Sequence, residues 1–190
     1  MGAILLLVIL VVLGLWFVAA YNRLIALKNN VVNAWKQIDV QLKRRYDLIP
    51  NLVNTVKGAM NFEKETLEAV TAARTRALGA SGVKETAKAE GELTQALGRL
   101  FAVSEAYPDL KSTGNVAQLQ EELASTENRI TFARQAYNDL ATGYNTAQQQ
   151  FPTSLVAGLA KAVPAELWEI EDAGERAVPR MRKGRQCRRE

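Results

Sequence analysis

From Ala3 to Ala20 every position except Gly14 is apolar, and no charge occurs before Arg23. As a helix, these 18 residues span roughly 27 Å, close to the roughly 30 Å hydrocarbon core of a bilayer. The run predicts a transmembrane anchor over residues 1–22 that meets the lipid bilayer through residues 3–20. A cleaved secretory signal is the competing reading, with Val18 and Ala20 as the small residues before a cut at Tyr21. Against it, the run lacks a basic leader and exceeds the usual length of about 7–15 apolar residues. Arg23, Lys28 and Lys36 follow the run and no Lys or Arg precedes it, so the body is expected on the cytoplasmic side.

Beyond the anchor the period changes to that of amphipathic helices. Val116, Leu119, Leu123, Thr126, Ile130, Ala133, Tyr137, Leu140, Tyr144, Ala147 and Phe151 recur at alternating spacings of 3 and 4. Five heptads of this kind predict one long helix with a single buried seam. Leu24, Leu27, Val31, Trp35, Ile38 and Leu42 form a second seam, and Val83, Ala87, Leu93, Leu97 and Leu100 a third. Leu52, Val53, Val56, Leu67, Val70 and Leu78 mark another helical stretch. Pro50 leaves two readings open there: Asp47 caps a new helix whose first turn holds the proline, or one helix kinks at it. Gly79 to Gly82 predicts a tight connection, Pro108 to Gly114 a loop, and Pro152 and Pro164 the ends of the last helices. The expected fold is all-α: a transmembrane helix followed by an antiparallel bundle of three to four long helices over residues 23–160. A short C-terminal segment follows over 161–179, and residues 180–190 form a basic tail.

Composition narrows the chemistry. The chain has no histidine and a single cysteine, Cys187. His-based triads, metalloprotease motifs, Cys/His zinc sites and intrachain disulfides are therefore excluded, and neither a metal nor a cofactor site is expected. The net charge of +4 arises in residues 180–190, which carry six basic side chains and one acid, so no basic folded face for nucleic acid is indicated. Ser81 and Lys84 have the S-x-x-K spacing of a lysine-activated serine, but its companion motifs are missing and a serine opening a helix is commonly an N-cap. Trp35, Tyr46 and Phe62 near helical spacing read as core.

The densest charge outside the tail is Lys43-Arg44-Arg45 followed by Asp47. An upright helix would lift Arg44 about 36 Å above Ala20, several Debye lengths of about 8 Å, which disfavours lipid contact. An ion pair within the bundle or between subunits, with Asp39, Asp47 or a neighbour, is the better reading, weighed against a plain solvated face.

With Tyr21-Asn22-Arg23-Leu24, Ala34-Trp35, Ile38-Asp39-Val40-Gln41-Leu42, the stretch Arg44 to Val53 (RRYDLIPNLV) and Thr55-Val56-Lys57-Gly58, the sequence resembles the LemA family of bacteria. Val70 to Arg74, Tyr144-Asn145, Phe151-Pro152 and Ala157-Gly158-Leu159 extend the likeness over residues 21–160. The resemblance implies a membrane segment carrying a long helical bundle, with no catalytic activity attached to it. Relatives commonly close on a proline and a few apolar residues, whereas here Val178-Pro179 runs into Arg180-Met181-Arg182-Lys183.

These readings converge on a noncatalytic protein of the bacterial cytoplasmic membrane that forms a homo-oligomeric scaffold. The alternative is an adaptor for another membrane protein such as a protease. Arg44, Arg45, Asp47, Pro50, Asn51 and Lys57 are the candidate interaction residues.

Overall fold

The computed structural model describes residues 1–57, 64–105, 107 and 114–169. Helix α1 covers Gly2–Lys57, α2 Lys64–Gly79, α3 Val83–Ser104, α4 Gly114–Gln149 and α5 Thr153–Leu159. The all-α architecture and its long apolar N-terminal helix follow the expectation from periodicity. Phe62, most of the expected 108–114 loop, and the tail with Cys187 lie outside the described residues.

Helix α1, 56 residues and roughly 84 Å long, crosses the expected anchor–body boundary without a break. Residues 1–19 are exposed along their whole circumference. From Leu24 onward one face is buried through Val31, Ala34, Ile38, Leu42, Arg45, Tyr46, Ile49, Leu52 and Val56. Helix α4 packs antiparallel along this face, with Trp35 beside Tyr137 and Arg45 beside Glu127. Helix α2 descends along α1, and α3 rises along α2, joined through a turn in which Gly82 takes φ +82°, a conformation open to a residue without Cβ. The result is an up-down-up-down bundle whose first helix continues past the body into the apolar run.

Pro50 lies inside α1 and the helix neither breaks nor restarts there. A proline has no N–H to offer the carbonyl four residues earlier, here that of Tyr46. Arg74 on α2 supplies the missing donor, its Nε donating to the Tyr46 carbonyl at 2.8 Å. The proline is tolerated because tertiary packing replaces the lost bond, with α2 tied to α1 at that level.

The α4 seam follows the predicted phase at first and then drifts. Val116, Leu123, Thr126, Ile130, Tyr137 and Tyr144 are buried, but so are Ala141 and Gln148, while Leu140 and Ala147 are only half-buried and Phe151 is exposed. A straight α-helix advances about 20° per heptad relative to a strict 3.5 repeat, so a long seam walks from one heptad position to the next. Below α4 the chain turns through α5, which packs on α1 and α4. Residues 162–169 then run without regular structure back up the bundle, over α4.

Candidate functional site: a buried charge ring and a strapped cleft

Arg45 occupies the apolar phase of α1 between Leu42 and Ile49, and Glu90 the apolar phase of α3 between Ala87 and Leu93. Both are buried, and they face each other across the bundle: Arg45 Nη1 donates to Glu90 Oε2 at 2.8 Å. Tyr46, next on α1, donates its hydroxyl to Glu90 Oε1 at 2.5 Å, so both carboxylate oxygens are engaged. Arg45 Nη2 donates to Thr94 Oγ1 at 2.9 Å, one turn beyond Glu90 on α3.

Helix α4 closes the network with Glu127 and Arg134, one heptad apart on the same face. Glu127 Oε2 lies 2.8 Å from Arg45 Nη1, and Arg134 lies 3.8 Å from Glu90 and 3.9 Å from Glu127. Two arginines and two glutamates thus alternate in a ring with no net charge, the arrangement that makes burial of Arg45 and Glu90 tolerable, with Arg134 partly covered and Glu127 one-third exposed at its edge. Burial lowers the Arg134 guanidinium from its ordinary range, and Glu127 and Glu90 counter that by favouring its charge. Burial pushes the Tyr46 phenol up, with the Glu90 hydrogen bond and charge acting in the same direction, so it remains a proton donor at neutral pH.

Outside the ring opens a cleft of about 640 Å3 between α3 and α4, lined by Lys88, Gly91, Thr94, Glu127, Arg134 and Trp168. Trp168 forms its lid edge: the Arg134 guanidinium stacks 4.6 Å from the centroid of the indole, which in turn lies 5.8 Å from Trp35. Trp35 meets Tyr137 edge to face at 5.5 Å.

Trp168 is held there by its backbone. Asn138 accepts from the Trp168 N–H at 2.8 Å and donates to the Trp168 carbonyl at 3.0 Å. Asn145, one heptad below, treats Ala165 the same way, with both bonds at 2.8 Å. Each carboxamide mimics an adjacent strand, offering one donor and one acceptor to a single residue of extended chain. Between them the Tyr137 hydroxyl donates to the Glu166 carbonyl at 2.7 Å. The segment 162–169 is thereby strapped to α4 by Asn138 and Asn145, two carboxamides one heptad apart, with the Tyr137 hydroxyl between them.

Of the six interaction residues expected from sequence, only Arg45 enters this network. Arg44, Asp47, Asn51 and Lys57 are exposed and Pro50 is half-buried. The carboxylates that pair with Arg45 are Glu90 and Glu127 rather than Asp47, because residues two apart on a helix point to different sides. Lys57 lines a separate cleft of about 490 Å3 with Val53, Lys64 and Leu67. The Asn51 carbonyl accepts the Thr55 hydroxyl at 2.7 Å within α1. Ser81 is exposed and precedes the helix rather than capping it: Gly82 is the N-cap, and the Ser81 N–H donates to Glu85 at 3.5 Å. Lys84 points away to Glu166, 4.0 Å distant.

Glu90, Glu127, Arg134, Asn138 and Trp168 were not singled out from sequence. A charged residue on an otherwise apolar phase, as Arg45 and Glu90 are, was the available signal for the ring. Asn138 and Asn145, one heptad apart, were the signal for the strap. Among the described residues no three His, Cys, Asp or Glu side chains are grouped to hold a metal ion.

Protein LemA of Metamycoplasma hominis is 30% identical over 113 residues, 58% of this chain and 51% of that protein, so the chain spans about half the length of this relative. Residues 34–182, which include α1 from Ala34, the ring, the strap and α5, match the LemA family. The chain belongs to the LemA family.

Proposed function

We propose that the protein is a noncatalytic, membrane-anchored helical rod that self-associates into a scaffold at the bacterial cytoplasmic membrane, its body on the cytoplasmic side. The observation that carries this reading is the continuity of α1: one helix provides both the apolar run, exposed over residues 1–19, and the central packing face of the bundle. A rod joined to its anchor without a hinge holds every copy at one height and one tilt. Ala20 is buried within the body, which favours an anchor that stays attached over a signal cut at Tyr21.

Confinement of identical rods to a plane raises their effective concentration and lets weak lateral contacts add. Large apolar side chains stand on outward faces: Val40 on α1 is 60% exposed, and Phe132 on α4, at the same height in the antiparallel register, is 72% exposed. Such side chains at a shared level are suited to repeated contacts between neighbouring bodies.

Sedimentation of the full chain in mild detergent across a concentration series tests the reading. Species larger than a monomer are expected, and Val40→Ser with Phe132→Ser should shift them toward the monomer without loss of helicity. A monomer at every concentration removes the scaffold and leaves the adaptor for another membrane protein in its place.

A further inference from the structure

We propose that residues 151–163, the turn at the base of the bundle, form a second membrane contact: an apolar foot that enters the headgroup region of the bilayer crossed by α1. The proposal rests on the reading of α1 as a membrane span. Leu155 and Leu159 share one face of α5 and are 61% and 74% exposed, and Phe151 and Val163, which flank the helix, are 81% and 77% exposed, so four large apolar side chains of the turn have no cover from the bundle. On the opposite side of α5, Val156 and Ala157 are buried. The seam phase that predicted burial of Phe151 fails at the point where this turn begins.

Height identifies the occupant. Trp35 beside Tyr137 and Arg45 beside Glu127 fix the antiparallel register of α1 and α4. The same register brings Asn145 level with Leu27 and Phe151 level with Tyr21. Asn145 binds Ala165, so both ends of the turn are tied at one height and the residues between them hang below it. From Leu27 to Ala20, the last residue of the apolar run, is roughly 10 Å along the helix, comparable to one interfacial layer of a bilayer. Helix α5 packs on α1 in this zone, where Ala20 is buried.

Charge agrees with height. No Asp or Glu occurs between Met1 and Ile38 or between Leu140 and Ala165, while Arg23, Lys28 and Lys161 are exposed at the base. An apolar turn rimmed only by cations is the composition of an element lying at an anionic lipid interface. Its effect would be to pin the rod at two points and fix its tilt and rotation.

The test uses the full chain with Cys187→Ser, carrying one new cysteine at a time, labelled with an environment-sensitive fluorophore and reconstituted in phosphatidylethanolamine–phosphatidylglycerol vesicles. The vesicles hold lipids spin-labelled either near the headgroup or at mid-chain. Val12→Cys reports the span, Leu159→Cys the foot and Glu68→Cys the distant end of the body. Mid-chain label should quench the Val12 site, headgroup-level label should quench the Leu159 site about twofold, and neither should quench Glu68. Adding Phe151→Ser and Leu155→Ser should remove quenching at Leu159 and leave it at Val12. Quenching at Val12 with none at Leu159 overturns the foot while the anchor stands, including the case in which Leu159 is shielded by a second copy and shows a blue shift without quenching. Absence of quenching at Val12 overturns the anchor and the foot with it.

Discussion

Glu90→Gln should destabilise the body by about 3 kcal/mol, although it changes neither volume nor shape. In the native ring Glu90 accepts one bond from Arg45 at 2.8 Å and one from Tyr46 at 2.5 Å, both to a charged acceptor. Such bonds contribute about 1.5–3 kcal/mol each, and a glutamine retains one acceptor oxygen for two donors. The ring also moves from neutral to one positive charge, leaving Arg45 and Arg134 to share Glu127, which is one-third exposed. Loss of one partner from a buried pair costs about 3–5 kcal/mol, and the bond that survives places Gln at the lower end. For a body of this size about 3 kcal/mol corresponds to a fall of roughly 6–12 °C in Tm. Thermal and urea unfolding followed by circular dichroism in detergent measures it. A double-mutant cycle sharpens the test: Glu90→Leu and Arg45→Met should each be severe, whereas together they leave Arg134 paired with Glu127 and a ring without net charge. The double variant should therefore recover most of the loss. Glu90→Gln melting within about 1 °C of the native protein, or a double variant equal to the sum of the singles, would refute the account of the ring as a mutually compensated buried unit.

Asn138→Ala and Asn145→Ala each delete two bonds to strap backbone; each should cost about 1–2 kcal/mol and expose residues 162–169 to limited proteolysis, with the double variant cleaved fastest. Arg74→Met should cost about 1–3 kcal/mol by orphaning the Tyr46 carbonyl, and markedly less in a Pro50→Ala background, where residue 50 regains an N–H for that carbonyl; equal costs in both backgrounds would break the link between the proline and Arg74. Because the folded phenol of Tyr46 binds its proton more tightly than the unfolded one, its contribution is complete below the ordinary tyrosine value near 10 and lost as pH rises above it. Stability measured by urea between pH 9 and about pH 11 should accordingly decline less steeply in Tyr46→Phe than in the native chain.

Much of the fold was legible because helical periodicity and membrane length are local properties. Eighteen residues from Ala3 with one Gly, and seams at spacings of 3 and 4, announce an apolar run and an all-α body without reference to any distant contact. Long seams are read less well toward their ends: the pattern assigned Phe151 to the core, whereas cumulative drift against the 3.5 repeat leaves it exposed at the base. Pro50 shows the limit most directly. Its missing N–H is known from sequence, but whether the helix survives depends on Arg74, 28 residues away from the carbonyl it serves.

The ring and the strap were decided by tertiary structure. Arg45 and Glu90 are 45 residues apart, and Asn138 and Trp168 30 apart, with no i,i+4 relation to mark them as partners. Their meeting requires the relative height and rotation of α1, α3 and α4, which follow from how apolar ridges interdigitate along the whole bundle. Sequence therefore determined the inward face of each helix over most of its length, since that depends on angular spacing, but not at the end of α4, where the seam drifts and Phe151 is exposed. Which inward charge meets which counter-charge was settled only by the mutual register of the helices, a property of the packed chain that no single segment contains.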